Sequence, residues 1–259
     1  MSLETIMKCS AALLCLTFLS AAPIHAEGTY ATAYSCFDMK GRERWTASTE
    51  IVSAPESGND TYILVEKGAG ILSGFKEKVS WEARLEFEST KDIVRPIFME
   101  NKVFDDKGGV IFIEKEEFDN KTGKVRCVNE DHRRNKTRRA EFDFKGEIAN
   151  RLILGLYIQK FLENGLDERA LVLLSSEPRL YAVKLKIMGK EDVIINGVKK
   201  TAFKICLDPE LGIFNFVKTV IPKAYVWHSA APKFEWLKYS GFESNPGSPL
   251  VEIISGDVK

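Results

Sequence analysis

The chain has 259 residues, of which 44% are hydrophobic, 10% aromatic and 29% charged. This balance excludes a disordered, collagenous or fibrous protein and fits a globular chain. Its 37 basic and 37 acidic side chains cancel, so no broad basic field is present and nucleic acid is not an expected partner.

The chain begins with an address. Ser10 to Ala22 is almost wholly apolar or small, Lys8 precedes it, and Pro23-Ile24-His25-Ala26 comes next. A basic start, a short apolar stretch and a small residue at the cut are the three parts of a secretory signal peptide. The apolar stretch has about 13 residues, whereas a membrane-spanning helix needs roughly 20. Cleavage is expected near Ala26, with Met7 as an alternative start, and a retained anchor is the competing reading. The residues before Cys15 and Cys36 do not fit lipid attachment. Periplasmic residence is therefore expected, and no later apolar run has the length of a membrane span.

Period-two alternation dominates the rest of the chain. Trp81, Ala83, Leu85 and Phe87 alternate with Ser80, Glu82, Arg84, Glu86 and Glu88, the pattern of a half-buried antiparallel strand. Glu114, Glu116, Glu117 and Asp119 form an acidic run whose spacing matches no EF-hand loop. It reads as a solvated strand edge, where charge discourages aggregation. His132 to Arg139 is the sharpest charge feature, with Arg133, Arg134, Lys136, Arg138 and Arg139 cationic. It is either a solvated hairpin loop or a contact for an anionic envelope surface. Ala140, Phe142 and Phe144 alternate again. Glu147 to Leu162 reads as a helix whose middle is apolar nearly all round and must be buried, with a buried strand as the alternative.

Glu177-Pro178-Arg179 is read as the turn between strands at 170–175 and 180–188. Asn196-Gly197 tolerates positive φ at both positions and marks a hairpin between 192–195 and 198–207. Asp208-Pro209-Glu210 has the N-cap, first-turn Pro and carboxylate of a second helix running to Pro222. Ala230 to Lys233 is expected to turn between strands at 224–229 and 234–240, and a last strand is expected at 250–254. The fold class is thus mainly β (α+β). We expect one domain over residues 27–259, a curved antiparallel sheet or half-barrel of about 10 strands. One or two helices would cover or close it, because an open apolar face of that size would aggregate.

Cys36, Cys127 and Cys206 remain after export, enough for one disulfide whose pairing the spacing leaves open. Cys127 and Cys206 lie in alternating runs, which favours small buried thiols. His132 and His228 have no partners at ligand spacing, so no metal is expected. Neither a nucleophile elbow nor a phosphate or dinucleotide loop is present. No catalytic residue is assigned and no cofactor is expected. Among the aromatic and apolar positions, Trp81, Leu85, Phe87, Tyr181, Trp227 and Trp236 are candidates to line a cavity for an apolar ligand, against the simpler reading of core.

The order of features from Glu147 onward carries a resemblance. Its marks are Leu180-Tyr181-Ala182-Val183-Lys184-Leu185, Gly189-Lys190-Glu191-Asp192-Val193, Asn196-Gly197 and Phe203-Lys204-Ile205. They continue through Pro222-Lys223-Ala224-Tyr225-Val226-Trp227, Tyr239-Ser240-Gly241 and Gly247-Ser248-Pro249. This resembles an uncharacterised family of exported bacterial proteins of unknown function, similar in fold to periplasmic lipoprotein carriers of the lipoprotein-sorting type. The resemblance implies a curved sheet around an apolar cavity closed by helices. The expected function is a non-enzymatic periplasmic binding protein holding a lipid or lipid-modified chain. The alternative is a cell-envelope interaction or assembly protein with a filled core, binding through an edge strand or the basic loop. A hydrolase without a legible motif is the third.

Overall fold

The computed structural model describes residues 30–54, 60–210, 222–244 and 247–256. The leader lies outside the described residues. So does most of the second expected helix, from 211 onward.

Eight strands lead the chain: β1 (Tyr30–Asp38), β2 (Glu43–Ser53), β3 (Thr61–Gly70), β4 (Val79–Ser89), β5 (Val94–Phe104), β6 (Val110–Asp119), β7 (Lys124–Asp131) and β8 (Lys136–Asp143). A two-residue strand β9 (Ile148–Ala149) and helix α1 (Leu154–Glu163) come next. The rest is β10 (Glu168–Ser175), β11 (Arg179–Ile195), β12 (Val198–Pro209), β13 (Ala224–Ser229), β14 (Trp236–Phe242) and β15 (Leu250–Gly256). They form a single 15-stranded sheet in the order β8-β7-β6-β5-β4-β3-β2-β1-β15-β14-β13-β12-β11-β10-β9. Every pairing is antiparallel except β9 with β10.

The sheet is therefore two meanders joined by β1 and β15, which pair from Ala33–Gly256 to Asp38–Val251. The fold class is as expected, with more strands than the ten read from the alternation. The additional strands lie largely in the N-terminal half, where polar residues interrupt the inward-facing positions. Among the described residues no helix is long and apolar enough to cross a membrane.

The ladder is open, yet its two arms face one another. Phe118, Val125 and Cys127 of β6 and β7 pack with Ile148 and Leu174 of β9 and β10, from the opposite end of the order. Asn129 Nδ2 also donates to the Ser176 carbonyl at 2.7 Å. The inner surface is filled. Helix α1 buries Leu154, Leu156, Tyr157, Ile158, Phe161 and Leu162. These pack with Trp45, Trp81, Leu85, Phe87 and Trp236 in the main core. At roughly 1.5–3 kcal/mol for each large side chain buried, this surface supplies much of the drive to fold.

The helix begins later than the sequence pattern implies. Residues 147–153 hold β9 and a turn, because Asn150 Oδ1 accepts from the backbone amides of Leu152 (3.1 Å) and Ile153 (3.2 Å). Gly165, at φ 65°, ends it. Asp208 and Pro209 themselves are the last residues of β12, opposite Lys184 and Val183, and a Pro is tolerated there because it stands at the strand end. Asn196 (φ 51°) and Gly197 (φ 78°) make the expected hairpin turn.

Candidate functional site

Strand register writes two transverse rows across the inner face of the first arm. One runs Tyr34, Ala47, Gly68, Trp81, Val103, Phe112, Asp131, Lys136 from β1 to β8. The next runs Thr32, Thr49, Glu66, Ala83, Asn101, Glu114, Asn129, Arg138. The second row is polar at seven of its positions and lies on a face that otherwise buries apolar groups. Gly68 is required in the first row, since a Cβ there would meet the Trp81 ring at 2.1 Å.

Where these rows reach β4 to β8, they line a cleft of about 480 Å³. Trp81, Val103 and Phe112 form its apolar wall, and Asn101, Glu114, Asn129 and Arg151 its floor. Three connections close the sides: Leu72 to Phe75 after β3, Ser176-Glu177 after β10, and Ser244 with Gly247-Ser248 before β15. Arg133, Arg134, Lys136 and Arg138 stand at the cationic end.

The β7–β8 hairpin positions that end. Asp131 Oδ1 accepts from the Arg134 amide at 3.1 Å, and the Arg133 guanidinium lies 4.5 Å over the Phe75 ring. Asp131 is also the ion-pair partner of Arg133 (3.9 Å) and Arg134 (3.6 Å). Among the described residues no carboxylate lies within ion-pair distance of Lys136, Arg138 or Arg139. Alternation sends Lys136 and Arg138 into the cleft. Arg139 falls on the other face and does not line it.

Beneath the floor is a buried ionic network. Glu66, fully buried, accepts from Trp81 Nε1 at 2.9 Å and Arg151 Nη1 at 2.8 Å. It also takes the Tyr34 hydroxyl, which in turn lies 3.1 Å from Thr49 Oγ1. Burial and the Glu66 charge push the Tyr34 phenol up. A second acid, Glu243, takes Trp45 Nε1 at 2.7 Å and Arg44 Nη2 at 2.8 Å. Glu114 accepts from Asn101 Nδ2 at 3.3 Å and Glu116 from Asn150 Nδ2 at 2.7 Å. Burial lifts both carboxyls above the ordinary carboxylate range, and the Glu114 charge adds to the lift on Glu116.

The acidic run is thus not an edge. Strand β6 lies between β5 and β7, and Glu114 and Glu116 are 2% and 3% exposed. Only Glu117 and Asp119 face water. The legible signal was phase: Glu114 and Glu116 alternate in step with Phe112 and Phe118. Among the described residues no group of metal-ligating side chains gathers.

Of the six cavity candidates, Trp81 lines the cleft. Leu85, Phe87 and Trp236 are packed in the main core, and half-buried Tyr181 leans on it. Trp227 belongs to a small cluster with Ile195, Ala202 and Leu237; its Nε1 donates to Glu191 Oε1 at 2.7 Å. That bond, with Lys204 near by, holds the Glu191 carboxyl below its usual range. Cys36, Cys127 and Cys206 are buried free thiols. His228 is buried with Nδ1 2.7 Å from the Phe234 carbonyl, and His132 Nδ1 lies 3.2 Å from that of Val110.

No protein-family model matches the chain, and no curated protein matches it. Two solved structures align along most of its length. One is a "putative exported protein with YmcC-like fold" from Bacteroides fragilis NCTC 9343, at 8% identity and TM-score 0.31, covering 93% of this chain and 100% of that one. The other is a "putative lipoprotein" from Parabacteroides distasonis ATCC 8503, at 9% identity and TM-score 0.32, covering 90% and 96%. Superpositions this loose carry neither fold nor function across.

Proposed function

We propose that the chain is an exported, non-enzymatic binding protein whose cleft takes an anionic ligand. The observation that carries this is the inward pair Lys136 and Arg138. Both line the cleft, and no described carboxylate lies within ion-pair distance of either. Unpaired cations beside an apolar wall are a site for a negative group. One further feature supports the reading: residues 1–26 carry the three parts of a secretory leader.

A lipid tail is a weaker occupant than the resemblance implies. Helix α1 and the aromatic side chains already cover the inner apolar surface. The cleft wall of Trp81, Val103 and Phe112 is short, and the floor beside it is polar. The filled core and basic hairpin favour the interaction reading over the acyl-chain carrier.

Arg138 and Arg139 supply an internally controlled test. Each substitution by Ser removes one charge from β8, but only Arg138 faces the cleft. Calorimetric titration with a uronate oligomer and with phosphatidylglycerol vesicles is expected to show at least fivefold weaker binding of one of them by Arg138→Ser. Arg139→Ser should change it less than twofold. Equal losses would reduce the hairpin to non-specific charge and end the proposal.

A further inference from the structure

The sheet has two ends. One is β9, a strand of two residues, and a strand so short offers almost no template for another. The other is β8, with eight residues. It pairs with β7 on one side, and among the described residues no backbone group pairs with its other side. No residue of β8 is buried, and even inward-facing Ala140 and Phe142 are only half covered. We propose that this edge docks a second copy of the chain, antiparallel about a two-fold axis at Ala140. The pairing does not depend on what occupies the cleft.

Charge selects both the partner and the register. A two-fold axis between antiparallel copies of one strand sets a single residue opposite its own copy. Strand β8 offers eight such centres. Lys136, Arg138, Arg139, Glu141 and Asp143 would each set a charge against itself. Thr137 would set Lys136 against Arg138, and Phe142 would set Glu141 against Asp143. Like charges directly opposite are destabilising. Ala140 alone avoids every such clash within the strand. It sets Arg139 opposite the partner's Glu141, twice over, and Thr137 opposite the partner's Asp143. On the inner face Ala140 meets its own copy, and Arg138 stands opposite the partner's Phe142.

Both sides of the main pair are ready for it. Arg139 has no described carboxylate within ion-pair distance, since Glu141 and Asp143 are held by Lys124 and Arg126. Those bonds, at 3.1 Å from Lys124 and 2.9 Å from Arg126, fix the Glu141 carboxylate on the outer face before a partner arrives. An unrelated acidic strand would match Lys136, Arg138 and Arg139 but meet Glu141 and Asp143 over the rest, whereas a second copy matches the whole strand. Association also closes at two, because the pairing uses the long edge of both copies and leaves only the β9 ends. Charges that repel a copy in seven registers thus admit it in one.

Analytical ultracentrifugation of the full mature chain tests this. Wild type is expected to dimerise reversibly at micromolar concentration. Arg139→Glu and Glu141→Arg each set like charges across the axis, and each should weaken the dimer at least tenfold. An equimolar mixture of the two variants should dimerise again, because both positions then face an opposite charge. A chain that had merely failed to fold would not recover in this way. A wild type that stays monomeric at high micromolar concentration would overturn the pairing. So would a dimer indifferent to both substitutions, which must form elsewhere on the surface. A mixture that stays monomeric would overturn the Ala140 register. Hexaglutamate binding by a monomeric wild type, lost in Arg139→Glu, would overturn the second copy in favour of an acidic strand.

Discussion

His228 is a neutral base sealed inside the sheet. Burial depresses its pKa from 6.5 to about 4, and the bond to the Phe234 carbonyl places its proton on Nδ1. Between those values the unfolded chain takes up a proton that the folded chain does not, so stability falls as pH drops through this window. The gap corresponds to about 3 kcal/mol. Urea unfolding of wild type should show this acid limb from pH 6.5 to 4, and His228→Gln should flatten it. Glu114 and Glu116 act in the opposite sense, because raised carboxyls favour the folded state toward low pH. They do so in both proteins, so the difference between the curves isolates the histidine. An identical pH profile in the variant would mean that the ring titrates alike in the folded and unfolded chain, as an exposed ring does.

Helix α1 is the element on which the filled interior depends. Ile158 is fully buried among residues of the main core, and Ile158→Ala should destabilise the chain by about 2–5 kcal/mol in chemical denaturation. A loss under about 1 kcal/mol would show that the helix is not packed against the sheet. This element is legible from composition, since an all-round apolar run must be covered. The hairpins are legible wherever turn chemistry is local, as at Asn196-Gly197. The cleft is not. Its floor and cationic end join Asn101, Glu114, Asn129 and Arg138 from four strands, and alternation fixes which face a residue takes but not its neighbour across the ladder. Glu114 misleads for a related reason: charge alone points outward, while its phase with Phe112 points inward.

Across the whole molecule, β1 and β15 stand side by side at the centre of the sheet order. Each arm is a meander of neighbours in sequence, and among the described residues only this pair joins the arms by a strand ladder. Removing residues 250–259 should therefore cost more than seven residues of strand suggest, because β1 and β14 each lose a partner. The truncated chain is expected in the insoluble fraction, with the full chain soluble under the same expression. A soluble truncation with a native-like far-UV spectrum would refute this view of the joint.

The same joint sets an order of events for a chain that emerges from its first residue. The leading arm can assemble early, but the flank of β1 stays bare until β15, the last of the described strands, arrives to cover it. For that interval the bare flank is a template for wrong pairing, which fast completion of the sheet would limit.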